Sequence, residues 1–185
     1  MRLHDRIKMI LGEVGEALAR VDEQAVARLV EAILGARRVF IFGQGRTGYV
    51  TRAFAVRLMH LGLDVHFVGD TTTPPIKNTD ICLVNSGTGE TRFAYHVVMA
   101  ARAAGARTAT ITAHPEARIG SLVDIVVHVP APTRGEQPAP EGWRQPLGSV
   151  FEQATLILLD AIVLILMQRL GRTPQSLLER HTNIE

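Results

Sequence analysis

The sequence contains almost no cysteine and no large excess of charge of either sign. Its single cysteine, Cys82, lies within an apolar run, so neither a disulfide framework nor a cysteine-ligated metal site can form within one chain. The 20 Lys and Arg residues nearly balance the 18 Asp and Glu residues, leaving a net charge of +2, and they are scattered along the chain. Composition therefore does not favour nucleic-acid binding, and we expect a cytoplasmic protein.

Long apolar segments are also missing. The first residues are mixed and charged, and no secretory segment follows them. The most apolar stretch, residues 154–167, carries Asp160 in its middle and is shorter than the roughly 20 residues that cross a bilayer. We therefore expect no membrane contact and a buried helix here. Because apolar residues lie all round this helix, one side is expected to pack on the core and another on a second subunit.

The order of apolar patterns predicts a single α/β domain. Two amphipathic helices come first, at about residues 3–20 and 23–36. Five short runs of strand-type residues follow, mostly separated by helix-type segments, at residues 39–42, 65–68, 81–84, 108–112 and 125–129. Such alternation indicates a five-stranded parallel sheet covered on both faces, a three-layer α/β/α sandwich, with ligands bound beyond the carboxyl ends of the strands.

These patterns divide the 185-residue domain into four parts. Residues 1–36 form the leading helices, 37–130 the sheet core, 131–146 a loop, and 147–185 the C-terminal helices. The loop follows from five prolines between residues 130 and 146, which favour irregular structure, and a lid over the site is one interpretation of it.

Two loops rich in glycine, serine and threonine indicate where this sheet binds its ligand. Residues 43–48 (GQGRTG) and 86–91 (SGTGET) each follow a strand-type run and precede a helix-type run. A helix start offers unpaired N–H groups and a partial positive charge, glycine permits close backbone approach, and Ser and Thr add O–H donors. We therefore predict a phosphate site, with these candidate binding residues: Gly45, Arg46, Thr47, Ser86, Gly87, Thr88, Gly89, Glu90 and Thr91.

Other interpretations of the loops remain open. Residues 43–48 also satisfy the G-x-G-x-x-G dinucleotide fingerprint, with Asp70 about 20 residues further on. A chain of this length leaves no room for the separate substrate domain of a dehydrogenase. As plain structure, the first loop is a strand-to-helix turn, and Ser86 or Thr88 is a helix N-cap.

Four stretches of the chain together resemble one known family. They are residues 45–48 leading into 55–62, residues 68–74, residues 86–91 and residues 146–152, and the ending 181–185 is similar too. The chain resembles the sugar isomerase (SIS) domain family, of flavodoxin-like fold, and within it the 6-phospho-3-hexuloisomerase group. Thr47 and Thr88 stand where serine is usual, and Asp70 stands where glutamate is common.

The resemblance implies an activity that needs no cofactor. It is the interconversion of D-arabino-hex-3-ulose 6-phosphate and D-fructose 6-phosphate through an enediol, the step after formaldehyde fixation in the ribulose monophosphate pathway. Glu152 is implied as the base, and His60 or His181 as the group that moves protons between oxygens or opens the ring. Without the resemblance, Glu152 is an ordinary first-turn carboxylate and His60 a packed histidine.

The resemblance also implies partners. A homotetramer or homodimer is expected, in which a neighbouring subunit completes the site, with functional coupling to hexulose-6-phosphate synthase. The seven histidines show no metal-ligand spacing, so no metal is expected. Two other functions remain open: another sugar-phosphate isomerase of this fold, acting on arabinose 5-phosphate or sedoheptulose 7-phosphate, and a non-catalytic sugar-phosphate-binding regulator.

Overall fold

A five-stranded parallel sheet forms the centre of the protein in a computed structural model, which describes residues 2–134 and 142–184. The strands are β1 (Val39–Gly43), β2 (Val65–Phe67), β3 (Ile81–Asn85), β4 (Arg107–Thr112) and β5 (Ile125–His128). Their order is β2-β1-β3-β4-β5, and every neighbouring pair is parallel. The predicted five strands and the flavodoxin-like sheet are confirmed, with ends that differ by one or two residues.

Six α-helices surround the sheet within the described residues. They are α1 (Leu3–Leu18), α2 (Glu23–Gly35), α3 (Gly45–His60), α4 (Arg92–Ala103), α5 (Ser149–Arg169) and α6 (Pro174–Leu178), with a single 3₁₀ turn at Gly120–Leu122. The two leading helices occur where their apolar periodicity predicts them.

The layers follow from the handedness of the connections. The chain moves from β1 through α3 outward to β2, but from β3 through α4 in the opposite direction to β4. Because parallel crossovers are right-handed, α3 and α4 lie on opposite faces of the sheet. This explains why all residues of β1 and β3 are buried, as the near-continuous apolar runs predicted.

The register of β1 against β3 brings the two loops together. Gly43, the last residue of β1, is paired with Asn85, the last residue of β3. Residues 44–48 and 86–91 therefore leave the sheet side by side. The chain order reverses between these two strands, and open α/β sheets bind their ligands at such a point.

Helix α5 forms within the predicted C-terminal helical segment and extends beyond the apolar stretch 154–167 at both ends. It runs for 21 residues and is long and apolar enough, by length and composition alone, to cross a membrane, which corrects the expectation that this segment is too short. Half of the most apolar 18-residue stretch of the helix is buried within the fold, where the helix packs against α1, α2 and α3. Its apolar content is therefore explained by a core position, as expected.

The proline-rich loop is described only in part. Residues 131–134 and 142–146 form no helix or strand. The rest of the predicted 131–146 loop, residues 135–141, lies outside the described residues, and the interpretation of this loop as a lid remains a prediction.

Candidate functional site

A cavity of about 420 Å³ opens where β1 and β3 end. Both glycine loops and the start of α5 line it, so the two loops border one cavity. The predicted residues that line it are Gly45, Arg46, Thr47, Ser86, Gly87, Thr88, Thr91 and Glu152. Pockets of this size accommodate small ligands.

Three helix N-termini meet at this cavity. The helices α3, α4 and α5 follow Gln44, Thr91 and Gly148, and no described side chain caps any of the three. All three of these residues line the cavity. By contrast, Asp22 caps α2 by accepting a hydrogen bond from Gln24 N. Uncapped N–H groups and three helix dipoles directed at one space make a strong site for an anion.

Hydroxyl groups of the second loop add donors to this site. Ser86 Oγ donates to Thr91 Oγ1 at 3.2 Å, and Thr88 Oγ1 accepts from Glu90 N at 3.3 Å. Ser86 is buried, whereas Thr88 and Thr91 are partly exposed. These hydroxyls can turn toward an incoming phosphate, since each carries one rotatable O–H donor.

The loop does not cap α4 in the way its sequence suggests. Thr91, and not Ser86 or Thr88, occupies the N-cap position, because α4 begins only at Arg92. The interpretation of Ser86 or Thr88 as the cap is therefore wrong. The later start leaves both hydroxyls at the cavity rather than on the helix.

Two predicted residues of the second loop serve the loop instead of lining the main cavity. Gly89 has a φ of +65°, and a Cβ there would lie 2.7 Å from Ala117 Cβ, so only glycine fits. Glu90 Oε1 accepts a hydrogen bond of 2.9 Å from Arg118 N. Both residues hold the loop against the segment after β4.

The aromatic ring of Phe151 joins α5 to the second loop. A Cβ on Gly87 would lie 3.0 Å from Phe151 Cδ1, and Phe151 is almost fully buried. Glycine at position 87 therefore allows the ring to pack on the loop, which places the first turn of α5 beside the phosphate site.

The carboxylate of Glu152 is held by Arg46. Arg46 Nε donates to Glu152 Oε2 at 2.5 Å, and the exposed fractions of the two side chains are 71% and 16%. The hydrogen bond to Glu152 raises the pKa of the Arg46 guanidinium above its ordinary value. The implied base, Glu152, and the candidate phosphate-binding residue Arg46 are therefore direct partners. Their separation of more than 100 residues in sequence does not reveal this pairing.

Neither implied histidine reaches the cavity of its own chain. His60 is the last residue of α3, whereas the cavity lies at its first turn, and 16 residues of helix span about 24 Å. His60 is buried, and its ring stacks on that of His181 with centroids 5.2 Å apart. Burial, the nearby Arg57 and His181 lower the pKa of His60 from its ordinary value.

The acidic residue of the dinucleotide fingerprint is engaged elsewhere. Asp70 Oδ1 accepts from both terminal nitrogens of Arg52, at 3.0 and 3.1 Å, and does not line the cavity. An acid placed to bind a ribose hydroxyl is therefore not found at this position.

Several lining residues were not among the predicted binding or catalytic residues. They are Gln44, Asn85, Ala94, Thr133, Arg134, Leu147, Gly148 and Phe151. Four of them lie within the stretches 43–48 and 146–152 that the sequence analysis singled out, and Asn85 directly precedes Ser86. Arg134 is brought in by the chain after β5, for which no motif exists. Among the described residues, no group of three or more His, Cys, Asp and Glu side chains could hold a metal ion.

Comparisons with known proteins agree with this geometry. The SIS domain family profile matches residues 32–139, more than half of the chain. The 3-hexulose-6-phosphate isomerase of Bacillus subtilis (strain 168) is 32% identical over 185 residues, which cover 100% of both chains. The protein of the same name from Mycobacterium gastri is 38% identical over 181 residues, 98% of this chain and 90% of that one.

A solved structure shows the same fold over the whole chain. It is a Methanococcus jannaschii protein whose structure was taken to infer a 3-hexulose-6-phosphate isomerase function, with a TM-score of 0.84, 28% identity, and coverage of 98% of this chain and 99% of that one. The predicted family resemblance is confirmed by profile, sequence and fold alike: the chain belongs to the SIS domain family.

Proposed function

We propose that this protein is a sugar-phosphate isomerase that interconverts D-arabino-hex-3-ulose 6-phosphate and D-fructose 6-phosphate. This is the activity that the names of the Bacillus subtilis and Mycobacterium gastri relatives carry. The observation that carries the proposal is the cavity at which three uncapped helix N-termini and one partly buried carboxylate, Glu152, converge.

The phosphate of the substrate occupies the end of the cavity formed by the two loops. The hydroxyls of Thr47, Ser86, Thr88 and Thr91 and the free N–H groups of α3 and α4 bind its oxygens. This arrangement favours a dianion without a cluster of lysines and fixes one end of a flexible sugar, which holds the reacting carbons near α5.

The Glu152 carboxylate acts on those carbons as the base. It takes the proton from C2 of the hexulose, and the electron pair of that C–H bond forms the C2=C3 enediol while O3 gains a proton. Return of a proton to C3 and loss of the proton from O2 give the C2 ketone. C2 is oxidised and C3 is reduced within one molecule, so the reaction needs no external oxidant or reductant.

Assembly with a second copy of this chain is part of the proposal. Apolar residues of α5 form an exposed stripe at helical spacing, Leu156, Ile157, Leu164 and Ile165. An exposed apolar stripe of this kind is typical of a subunit interface, in a homodimer or a homotetramer. The exposed His181 can serve as a proton-transfer group only at the site of a neighbouring copy, because it lies far from its own cavity.

The cellular setting follows from the same activity. The substrate must be supplied by an aldol addition of formaldehyde to ribulose 5-phosphate, so coupling to hexulose-6-phosphate synthase is expected. A cytoplasmic location fits the single Cys82 thiol, which is buried and whose pKa burial raises to about 12.

A product assay tests the proposal. Purified protein is mixed with D-arabino-hex-3-ulose 6-phosphate, and fructose 6-phosphate is followed through a coupled dehydrogenase, with arabinose 5-phosphate and sedoheptulose 7-phosphate tested in parallel. We expect turnover of the hexulose alone. Turnover of a different sugar phosphate would assign a sister isomerase activity, and tight binding without turnover would assign a regulator; either result contradicts the proposal.

A further inference from the structure

Arg46 and Glu152 form an ion pair with unequal surroundings. The guanidinium of Arg46 is 71% exposed, whereas the carboxylate side chain of Glu152 is only 16% exposed. Arg46 binds Glu152 through Nε. The pair is thus an exposed cation lying on a partly buried anion.

This contact opposes the chemistry that Glu152 must perform. An arginine hydrogen-bonded to a carboxylate oxygen occupies a lone pair that would otherwise accept a proton. A carbon-bound proton next to a ketone is weakly acidic, so its removal requires a carboxylate oxygen that is free to accept it. As long as Arg46 Nε donates to Oε2, that carboxylate oxygen is occupied by a hydrogen bond and partly covered by the guanidinium.

The neighbouring anion site offers Arg46 a better partner. Arg46 lies directly before Thr47 in the first turn of α3, and both residues line the cavity that receives the phosphate. A phosphate dianion carries more charge than a carboxylate, and guanidinium groups bind phosphate oxygens through two parallel N–H bonds. The long, exposed side chain of Arg46 can move toward it without disturbing the core.

We infer that Arg46 is a latch on the catalytic carboxylate, which the phosphate of the substrate opens by drawing Arg46 away from Glu152. The inference rests on the proposed function and adds to it. The phosphate then contributes to the rate of proton transfer and not to affinity alone, because Glu152 becomes a free base only when a phosphorylated ligand is bound. Arg46 is a positioning residue in this scheme, since it acts through Glu152 and the phosphate.

Hydrogen exchange on a ketose without phosphate tests the latch. D-Xylulose has the configuration of D-fructose at C3 and C4 but no ester, and exchange of its C3 hydrogen in D₂O can be followed by NMR. In the native protein this exchange should be slow and should be accelerated by inorganic phosphite, which supplies the missing anion. In Arg46→Met, exchange without phosphite should rise by about tenfold to a hundredfold, the factor expected for release of one charge-assisted hydrogen bond.

Two further variants separate the latch from a structural role. Arg52→Met removes an arginine from the same helix, where it pairs with Asp70 outside the cavity, and should leave all rates unchanged. Arg46→Lys keeps the cation and should keep part of the phosphite activation. A rate for D-xylulose that is equal or lower in Arg46→Met than in the native protein would overturn the latch.

Exchange on fructose 6-phosphate distinguishes this failure from failure of the proposed function. If the native protein exchanges the C3 hydrogen of fructose 6-phosphate but Arg46→Met gains nothing on D-xylulose, the isomerase activity stands and the latch is wrong. If the native protein neither exchanges the C3 hydrogen of fructose 6-phosphate nor interconverts it with the hexulose, the proposed reaction itself is wrong and the latch falls with it.

Discussion

Asn85 Nδ2 donates a hydrogen bond of 3.1 Å to Thr51 Oγ1, and so joins the end of β3 to α3. Thr51 Oγ1 in turn donates to Thr47 O at 2.8 Å. Both side chains are buried. This chain of bonds connects the strand that carries the second glycine loop with the helix turn that carries the first, and it sets the spacing between the two halves of the proposed phosphate site.

Replacement of Asn85 should therefore weaken both stability and binding. Asn85→Leu keeps the approximate volume but removes the donor to Thr51, and we expect a loss of about 1–2 kcal/mol in the free energy of unfolding. Urea unfolding measures this loss, and inhibition by inorganic phosphate measures the affinity of the proposed phosphate site. Unchanged phosphate inhibition in a destabilised variant would show that the bond supports the fold but not the spacing of the loops.

The hydroxyl of Thr88 should contribute to affinity for the phosphate. In Thr88→Val one O–H donor to a charged oxygen is lost, and the KM for the sugar phosphate should rise by about tenfold, the effect of one such hydrogen bond. Steady-state kinetics measure KM and kcat separately. Thr72→Val, at an exposed threonine outside the cavity, is the control and should behave as the native protein; an equal KM for both variants would remove Thr88 from the phosphate site.

His60 should make the fold sensitive to mild acid. Its pKa is lowered in the fold by burial, Arg57 and His181, whereas an unfolded histidine titrates near pH ~6.5. Below that pH the unfolded chain binds a proton that the folded chain refuses, so the free energy of unfolding should fall as the pH decreases from about 6.5 and stay level above it.

Urea unfolding between pH 5 and pH 8 measures this dependence. His60→Asn should lose stability through lost packing but show a shallower fall toward acid, while His4→Asn, at an exposed position of α1, should retain the native slope. An equally steep fall in His60→Asn would assign the acid sensitivity to another group.

The exposed stripe of α5 should hold copies of the chain together. Leu164 is 62% exposed in the single chain, and Leu164→Lys would place a charge in the proposed interface. We expect light scattering after gel filtration to give the mass of one chain, 20.2 kDa, for this variant and a multiple of it for the native protein. Leu3→Lys, at the start of α1 with 74% exposure, is the matched control; a native protein of single-chain mass would contradict the interface.

The parts of the fold that could be predicted from the sequence are those that local residue patterns determine. Strand-type runs such as residues 39–42 and 81–84 are apolar throughout, so their burial on both faces and their parallel pairing were predictable. Helix ends were less so: α4 begins at Arg92 rather than inside the loop, because glycine at position 89 turns the chain first. The apolar stretch 154–167 alone understates the length of α5, which is a 21-residue helix that begins at Ser149.

The parts of the site that neighbouring residues form could be predicted, whereas contacts between residues distant in sequence could not. Both glycine loops carry their own signals, and the order of strands brings them together. The Arg46–Glu152 pair joins residues 106 positions apart, and Arg134 comes from a segment without a motif, so neither contact has a signature in sequence. The histidines show the opposite case: His60 and His181 belong to motifs, yet the fold places them at the end of α3 that lies away from the cavity of their own chain.

Proton exchange catalysed by Glu152 tests the central claim most directly. Fructose 6-phosphate is incubated in D₂O with the native protein and with Glu152→Gln, exchange of its C3 hydrogen is followed by NMR, and its affinity is measured by calorimetry. We predict exchange with the native protein and none with Glu152→Gln, at affinities that differ by no more than a few fold, since the phosphate contacts remain. Exchange at the native rate in Glu152→Gln would place the base elsewhere and contradict the mechanism.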